Sequence, residues 1–165
     1  MKPTIFKSEL YGATIDLTGK RIFFYGGMFS QWASCYIYDT EREVEYNCAE
    51  QMMMAEKAHM FDDEDTLSCI MKSKNPREQK ALGRTVKDFD AKKWLDECLE
   101  IVTRINYLKF TQNRSWREQL LITDGFDIVE ASPSDKIWGI GLGEDNPHIF
   151  DPNHWKGTNF LGQAI

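Results

Sequence analysis

The chain has 165 residues, a net charge of −6, and 42% apolar residues with five tryptophans among them. That length suffices for one domain with a sizeable core, and the acidic balance argues against broad affinity for a phosphate backbone, which needs a basic face. No apolar run approaches the ~20 residues that span a bilayer, and Met1-Lys2-Pro3-Thr4 lacks the apolar centre of a signal peptide, so a cytoplasmic chain is expected.

Residues 14–18 and 21–25 flank Gly19-Lys20 and predict a β-hairpin. Residues 35–38 and 43–46 flank a polar turn and predict a second. The middle of the chain is helical. Asn47, Asn75 and Ser115 each precede a Glu three residues on, which predicts three capped helix starts, with Pro76 at a first helical position. Asp90 predicts the start of a longer helix, in which Trp94, Cys98, Ile101, Ile105 and Leu108 form an amphipathic stripe. Residues 127–130 predict a short strand, followed by a glycine-rich loop and an irregular tail. The expected class is α+β, predominantly helical, a single domain over 1–165 with a small antiparallel β element near the N-terminus.

Cys35, Cys48, Cys69 and Cys98 are scattered without a CxxC pair and read as free, buried thiols. Three histidines without ligand spacing predict no metal site, and no cofactor is expected.

Several residues suit chemistry. Glu50, Met54, Lys57 and Phe61 recur at steps of four, three and four, so they share one helix face. Glu50 and Lys57 are then ~10 Å apart along the axis, too far for a direct pair but spaced to flank a small substrate. The bland reading of Glu50 is a capping-box residue bonded back to the cap's amide. Residues 24–32 (Phe24, Tyr25, Gly26, Phe29, Ser30 and Trp32 among them) read either as a base-binding turn, with Ser30 or Gln31 reading the base's edge, or as core aromatics around a Gly-Gly turn. Arg84 suits a bidentate phosphate contact, although a lone arginine is usually just solvated. Between Glu130 and Gly143, two acids, Trp138 and three alternating glycines suit either a ligand wall or a tight connection pinned by one buried Trp.

Taken in order, these segments resemble the YbiA-like, or NADAR, family. The matching pieces are Phe24-Tyr25 with residues 29–32, then Ala49-Glu50-Gln51 through Lys57 to Phe61, then Leu82-Gly83-Arg84 and Trp94. They continue with Lys109-Phe110, Gln112-Asn113, Glu130 through Ser132 to Asp135, Trp138 to Gly141, and Gly157 to Gly162. Order and spacing hold from about residue 22 onward. In two places the chain departs from the family: it stops three residues after Gly162, and it carries a longer insertion over 144–156.

The resemblance implies a mainly helical N-glycosidase that cleaves between an amino nitrogen and the anomeric carbon of a ribose phosphate. Ribosylaminopyrimidine phosphates of the riboflavin pathway or ADP-ribosyl compounds, including ADP-ribosylated guanine, are the implied substrates. It gives catalytic roles to Glu50, Lys57 and Asp135. Substrate binding falls to Phe24, Tyr25, Gly26, Phe29, Ser30, Trp32, Arg84, Trp94, Asn113, Ser132, Trp138, Gly139 and Gly141. Glu50 would position water or counter the positive charge that develops on the sugar. Lys57, if its amine is uncharged, would form a Schiff base with the opened sugar. The competing reading is a non-catalytic module that binds NAD or ADP-ribose.

Overall fold

The computed structural model describes residues 4–165. The elements in chain order are β1 (Ile5–Ser8), β2 (Ala13–Asp16), β3 (Arg21–Phe24), β4 (Ile37–Asp39), β5 (Val44–Tyr46), α1 (Ala49–Met60), α2 (Glu64–Lys72), α3 (Pro76–Gly83), α4 (Ala91–Gln112), α5 (Arg114–Ile122), β6 (Asp127–Glu130) and α6 (Phe160–Ala164). Short 3-10 turns occupy Gly27–Phe29 and Pro152–His154. This is the helical α+β class expected, with both hairpins near the N-terminus and the strand at 127–130 in place.

Two compact units divide the chain: Met1–Ser30 with Glu118–Ile165, and Gln31–Arg117. In the first, the sheet runs β1-β2-β3-β6. The β1–β2 and β2–β3 pairs are antiparallel, while β6 joins β3 in parallel, Ile22 opposite Ile128 and Phe23 opposite Val129. Parallel pairing needs a long crossover, and the strands here are about a hundred residues apart in sequence, so local pattern alone did not reveal it. One side of this sheet is a core of Phe23, Val129, Ala131, Ile140, Leu142 and Ile149. The long insertion contributes to it. Trp155 donates from Nε1 to the Ile149 carbonyl at 2.8 Å, and Phe23 meets Phe150 and Trp155 edge-on at 5.4 and 6.4 Å.

In the second unit α1 is the central element. Met52, Met53 and Met54 are all buried, as are Ala49, Ala55 and Ala58, so the helix is covered on several faces. Helix α3 packs on it through Gly83, where a Cβ would run into the Met54 thioether. The caps correct the sequence reading in two places. The α1 cap is Cys48, whose Sγ accepts from the Gln51 amide at 3.4 Å, not Asn47. Ser115 lies inside α5, which begins at Arg114. Asn75 and Asp90 do cap α3 and α4, and Asp63 caps α2. The buried stripe of α4 is Trp94, Cys98, Val102, Ile105, Asn106, Lys109 and Phe110, with Ile101 and Leu108 only half-buried.

All four cysteines are free, as expected; Cys48 and Cys98 are buried, Cys35 is half-buried, and Cys69 is exposed, so the expected burial holds for only part of the set. Among the described residues no helix is long and apolar enough to cross a membrane.

Candidate active site

The first turn of α1 separates two roles that the sequence left merged at Glu50. The reach back to the preceding backbone amide is made by Gln51, whose Oε1 accepts from Asn47 N–H at 2.8 Å. Cys48 and Gln51 thus stand at the cap and third helical positions, one residue later than expected, with Gln51 bonded to the amide before the cap rather than to the cap's own. Glu50 is therefore not the capping-box residue. It is 2% exposed, its amide donates to the Gln31 carbonyl at 2.9 Å, and it sits at the positive end of a twelve-residue helix. That end favours a carboxylate.

Two turns on, Lys57 is half-buried under aromatic rings. Its Nζ is 4.0 Å from the Phe89 ring centroid and 5.6 Å from that of Trp94. Burial lowers the Lys57 pKa from the ordinary lysine value; the Arg84 charge pushes the same way, and the Glu50 charge opposes. Glu50 and Lys57, read from sequence as one helix face, are thus joined within one unit by Arg84 and Trp94, which were separate candidates. Arg84 follows the end of α3, is exposed, and has no ion-pair partner among the described residues. A cleft of about 320 Å³ lies in the same unit, lined by Trp32, Ser34, Asn47, Cys48, Lys74 and Pro76. Trp32 is 41% exposed there. Asn113 is a structural tie: its amide donates to the Tyr36 and Lys109 carbonyls at 2.8 and 2.7 Å.

The remaining candidates belong to the first unit. Phe24 and Phe29 are wholly buried, 5.4 Å apart, with Tyr11 stacked on Phe29, which leaves Tyr25, Gly26 and Gly27 as the exposed part of that turn. The Ser30 amide closes the turn onto the Gly27 carbonyl. In the loop after β6, the Asp135 Oδ1 accepts from the Ile137 and Trp138 amides at 3.0 and 2.9 Å, and the Asp135 amide donates to Ser132 Oγ at 3.2 Å. Trp138 is half-buried against Phe160. The Gly141 amide donates to the Asp135 carbonyl, and a Cβ on Gly139 would meet the Glu130 carbonyl at 2.9 Å. Both glycines thus let the loop fold back on itself, and Gly141 does so at φ +69.

Phe89 was not singled out from sequence, yet a signal existed. An apolar residue before the Asp90 cap and another at the fourth helical position, Trp94, is the hydrophobic-staple pattern.

The profile of the NADAR domain matches residues 23–165. The chain belongs to the NADAR family. It is 40% identical over 159 residues to "N-glycosidase R617" of Acanthamoeba polyphaga mimivirus, covering 90% of this chain and 94% of that protein. It is 34% identical over 148 residues to "Protein irg-1" of Caenorhabditis elegans, covering 87% and 70%. Among solved structures it is similar to the NMR structure of the E. coli protein YbiA, with a TM-score of 0.70 and 26% identity, over 88% of this chain and 80% of that one. The resemblance read from the ordered motifs is thereby established.

Proposed function

We propose that the chain is an N-glycosidase that hydrolyses the bond between a base or aminopyrimidine nitrogen and the anomeric carbon of a ribose phosphate. Ribosylaminopyrimidine phosphates, or ADP-ribosyl compounds including ADP-ribosylated guanine, are its substrate class. Family membership and the 40% identity to a protein named an N-glycosidase support the bond type. The observation that carries the reading is the buried Glu50 in the first turn of α1 with Lys57 two turns on beneath the Phe89 and Trp94 rings, and with Arg84 near enough for its charge to act on the Lys57 amine.

In this mechanism the buried Glu50 carboxylate positions water and counters the positive charge that develops at the anomeric carbon. Ring opening of a ribosylamine gives an imine at that carbon. The Lys57 amine, whose pKa is lowered by burial and by Arg84, displaces the base nitrogen from its neutral form, and the base leaves with a proton. Water then hydrolyses the lysine imine, releases the sugar phosphate and regenerates the amine. Arg84, exposed at the end of α3, holds the phosphate. We assign Asp135 a positioning role, because its Oδ1 fixes the backbone at Ile137 and Trp138.

The test is a panel of ribosylaminopyrimidine phosphates, NAD, ADP-ribose and ADP-ribosylated guanine, read by mass spectrometry for C–N cleavage. Release of free base from at least one member is expected. Thermal stabilisation by a member with no turnover of any would identify a binding module instead.

A further inference from the structure

Three glutamines in this chain are buried: Gln31, Gln51 and Gln79. Two are fully engaged by the fold. Gln51 accepts from the Asn47 amide and donates to the Ile70 and Ser73 carbonyls. Gln79 accepts from the Cys48 thiol and donates to Asn47 Oδ1 and the Ser73 carbonyl. Gln31 differs. It is 7% exposed, and neither Oε1 nor Nε2 of its side chain has a hydrogen-bond partner among the described residues. Burying an amide that satisfies nothing opposes folding. An apolar residue of the same length would pack there without that penalty.

Its place in the chain bears on what the amide is for. The Gln31 carbonyl accepts the Glu50 amide at 2.9 Å, so its backbone is fixed to the first turn of α1, at the residue given the central carboxylate role. A glutamine side chain presents a two-proton donor beside a carbonyl acceptor. We infer that Gln31 is a substrate-reading residue: its amide, which has almost no accessible surface in this structure, turns outward on binding to engage an edge of the leaving base on which a donor and an acceptor lie side by side. This rests on the N-glycosidase reading and narrows it, since a leaving group without such an edge would leave the amide unmatched. A site whose buried polar groups go unmatched rejects the wrong substrate strongly.

The test compares wild type with Gln31→Met, a change of similar length that removes both polar atoms. Melting temperature, kcat and KM are measured, together with the melting-temperature shift induced by a ribosylaminopyrimidine phosphate, which needs binding but not turnover. The expected result is an equal or higher melting temperature for Q31M, a loss of at least about tenfold in kcat/KM carried mainly by KM, and a reduced ligand-induced shift. A lower melting temperature for Q31M overturns the inference, because it shows that the fold uses the amide. So does kcat/KM within about twofold of wild type, or an unchanged ligand-induced shift. If the wild type is stabilised by the ligand but does not cleave it, the N-glycosidase reading fails while a reduced shift in Q31M still supports Gln31. A wild type that shows neither stabilisation nor cleavage overturns both.

Discussion

The Lys57 amine lies 4.0 Å from the centre of the Phe89 ring. The ring has two opposing effects on it. Its face attracts an ammonium ion, and its bulk keeps water away from one. Burial is the largest influence on this group, and its net pKa is lowered. Phe89 is itself 41% exposed, so it is the outer wall of this environment.

Phe89→Ala should therefore rewet Lys57 and raise its pKa toward the ordinary value. A step that needs the neutral amine speeds up as pH rises through the Lys57 pKa, so F89A should move that rise to higher pH. Activity near pH 7 should fall, and the deficit should shrink in alkaline buffer. A pH–rate profile measures this. Trapping with cyanoborohydride should give a covalent sugar adduct on wild type, a weaker one on F89A at pH 7, and none on Lys57→Met.

Arg84→Ala should have two separable effects. Loss of the phosphate contact should raise KM by roughly ten- to a hundredfold, in line with about 1.5–3 kcal/mol for a charged hydrogen bond. Loss of its charge should also move the Lys57-dependent rise to higher pH, because Arg84 is one of the groups lowering that pKa. Melting temperature should change little, as Arg84 is exposed and has no ion pair among the described residues.

Gly83→Ala should destabilise the protein by about 1–3 kcal/mol, the usual cost of overpacking. A Cβ at that position collides with the Met54 side chain on the facing helix. Denaturant melts of G83A, Met54→Ala and the double variant would show the coupling: the double should be less destabilised than the sum of the singles.

Lys109 should leave a signature in the pH dependence of stability. It is fully buried on α4, and burial pulls its amine down to about 8, with Cys35 and Cys48 opposing. An unfolded lysine holds its proton to about pH 10.4. Between those values the unfolded chain binds more protons, so rising pH favours the folded state. Buried Cys48 and Tyr46, pushed up to about 11 and about 12, work in the opposite direction at higher pH. The informative quantity is therefore wild-type stability minus that of Lys109→Met. It should rise by about 2.5 kcal/mol from pH 8 to pH 10.5, and a flat difference would contradict the buried, depressed amine.

Local chemistry made much of this legible in advance. Asn75 with Pro76, and Asp90 before a 22-residue amphipathic run, marked α3 and α4 because capping and periodicity act within a few residues. The α1 cap was misread because a cysteine, not the stronger neighbour Asn47, supplies the acceptor, and Asn47 Oδ1 is engaged by Gln79 more than thirty residues away. The parallel β3–β6 pairing has the same origin: its register is set by tertiary packing, not by any nearby turn. At the candidate site, Glu50, Lys57 and Arg84 were visible as charged residues at suggestive positions. Gln31 was visible only as one of two polar residues in the aromatic turn that could read a base's edge; that its buried amide finds no partner appears only once its neighbours are in place.

The most direct test of the account is Glu50→Gln, assayed for C–N cleavage by mass spectrometry alongside a thermal melt. Cys48 and Gln51 perform the capping of α1, so E50Q should lose stability only by about 0.3–1 kcal/mol, the effect of one charge at a helix N-terminus, while its hydrolysis rate falls by at least about a hundredfold, as expected when a charged catalytic group is lost. Cleavage within a few-fold of wild type, with the loss confined to thermal stability, would contradict a catalytic carboxylate and return Glu50 to a structural role.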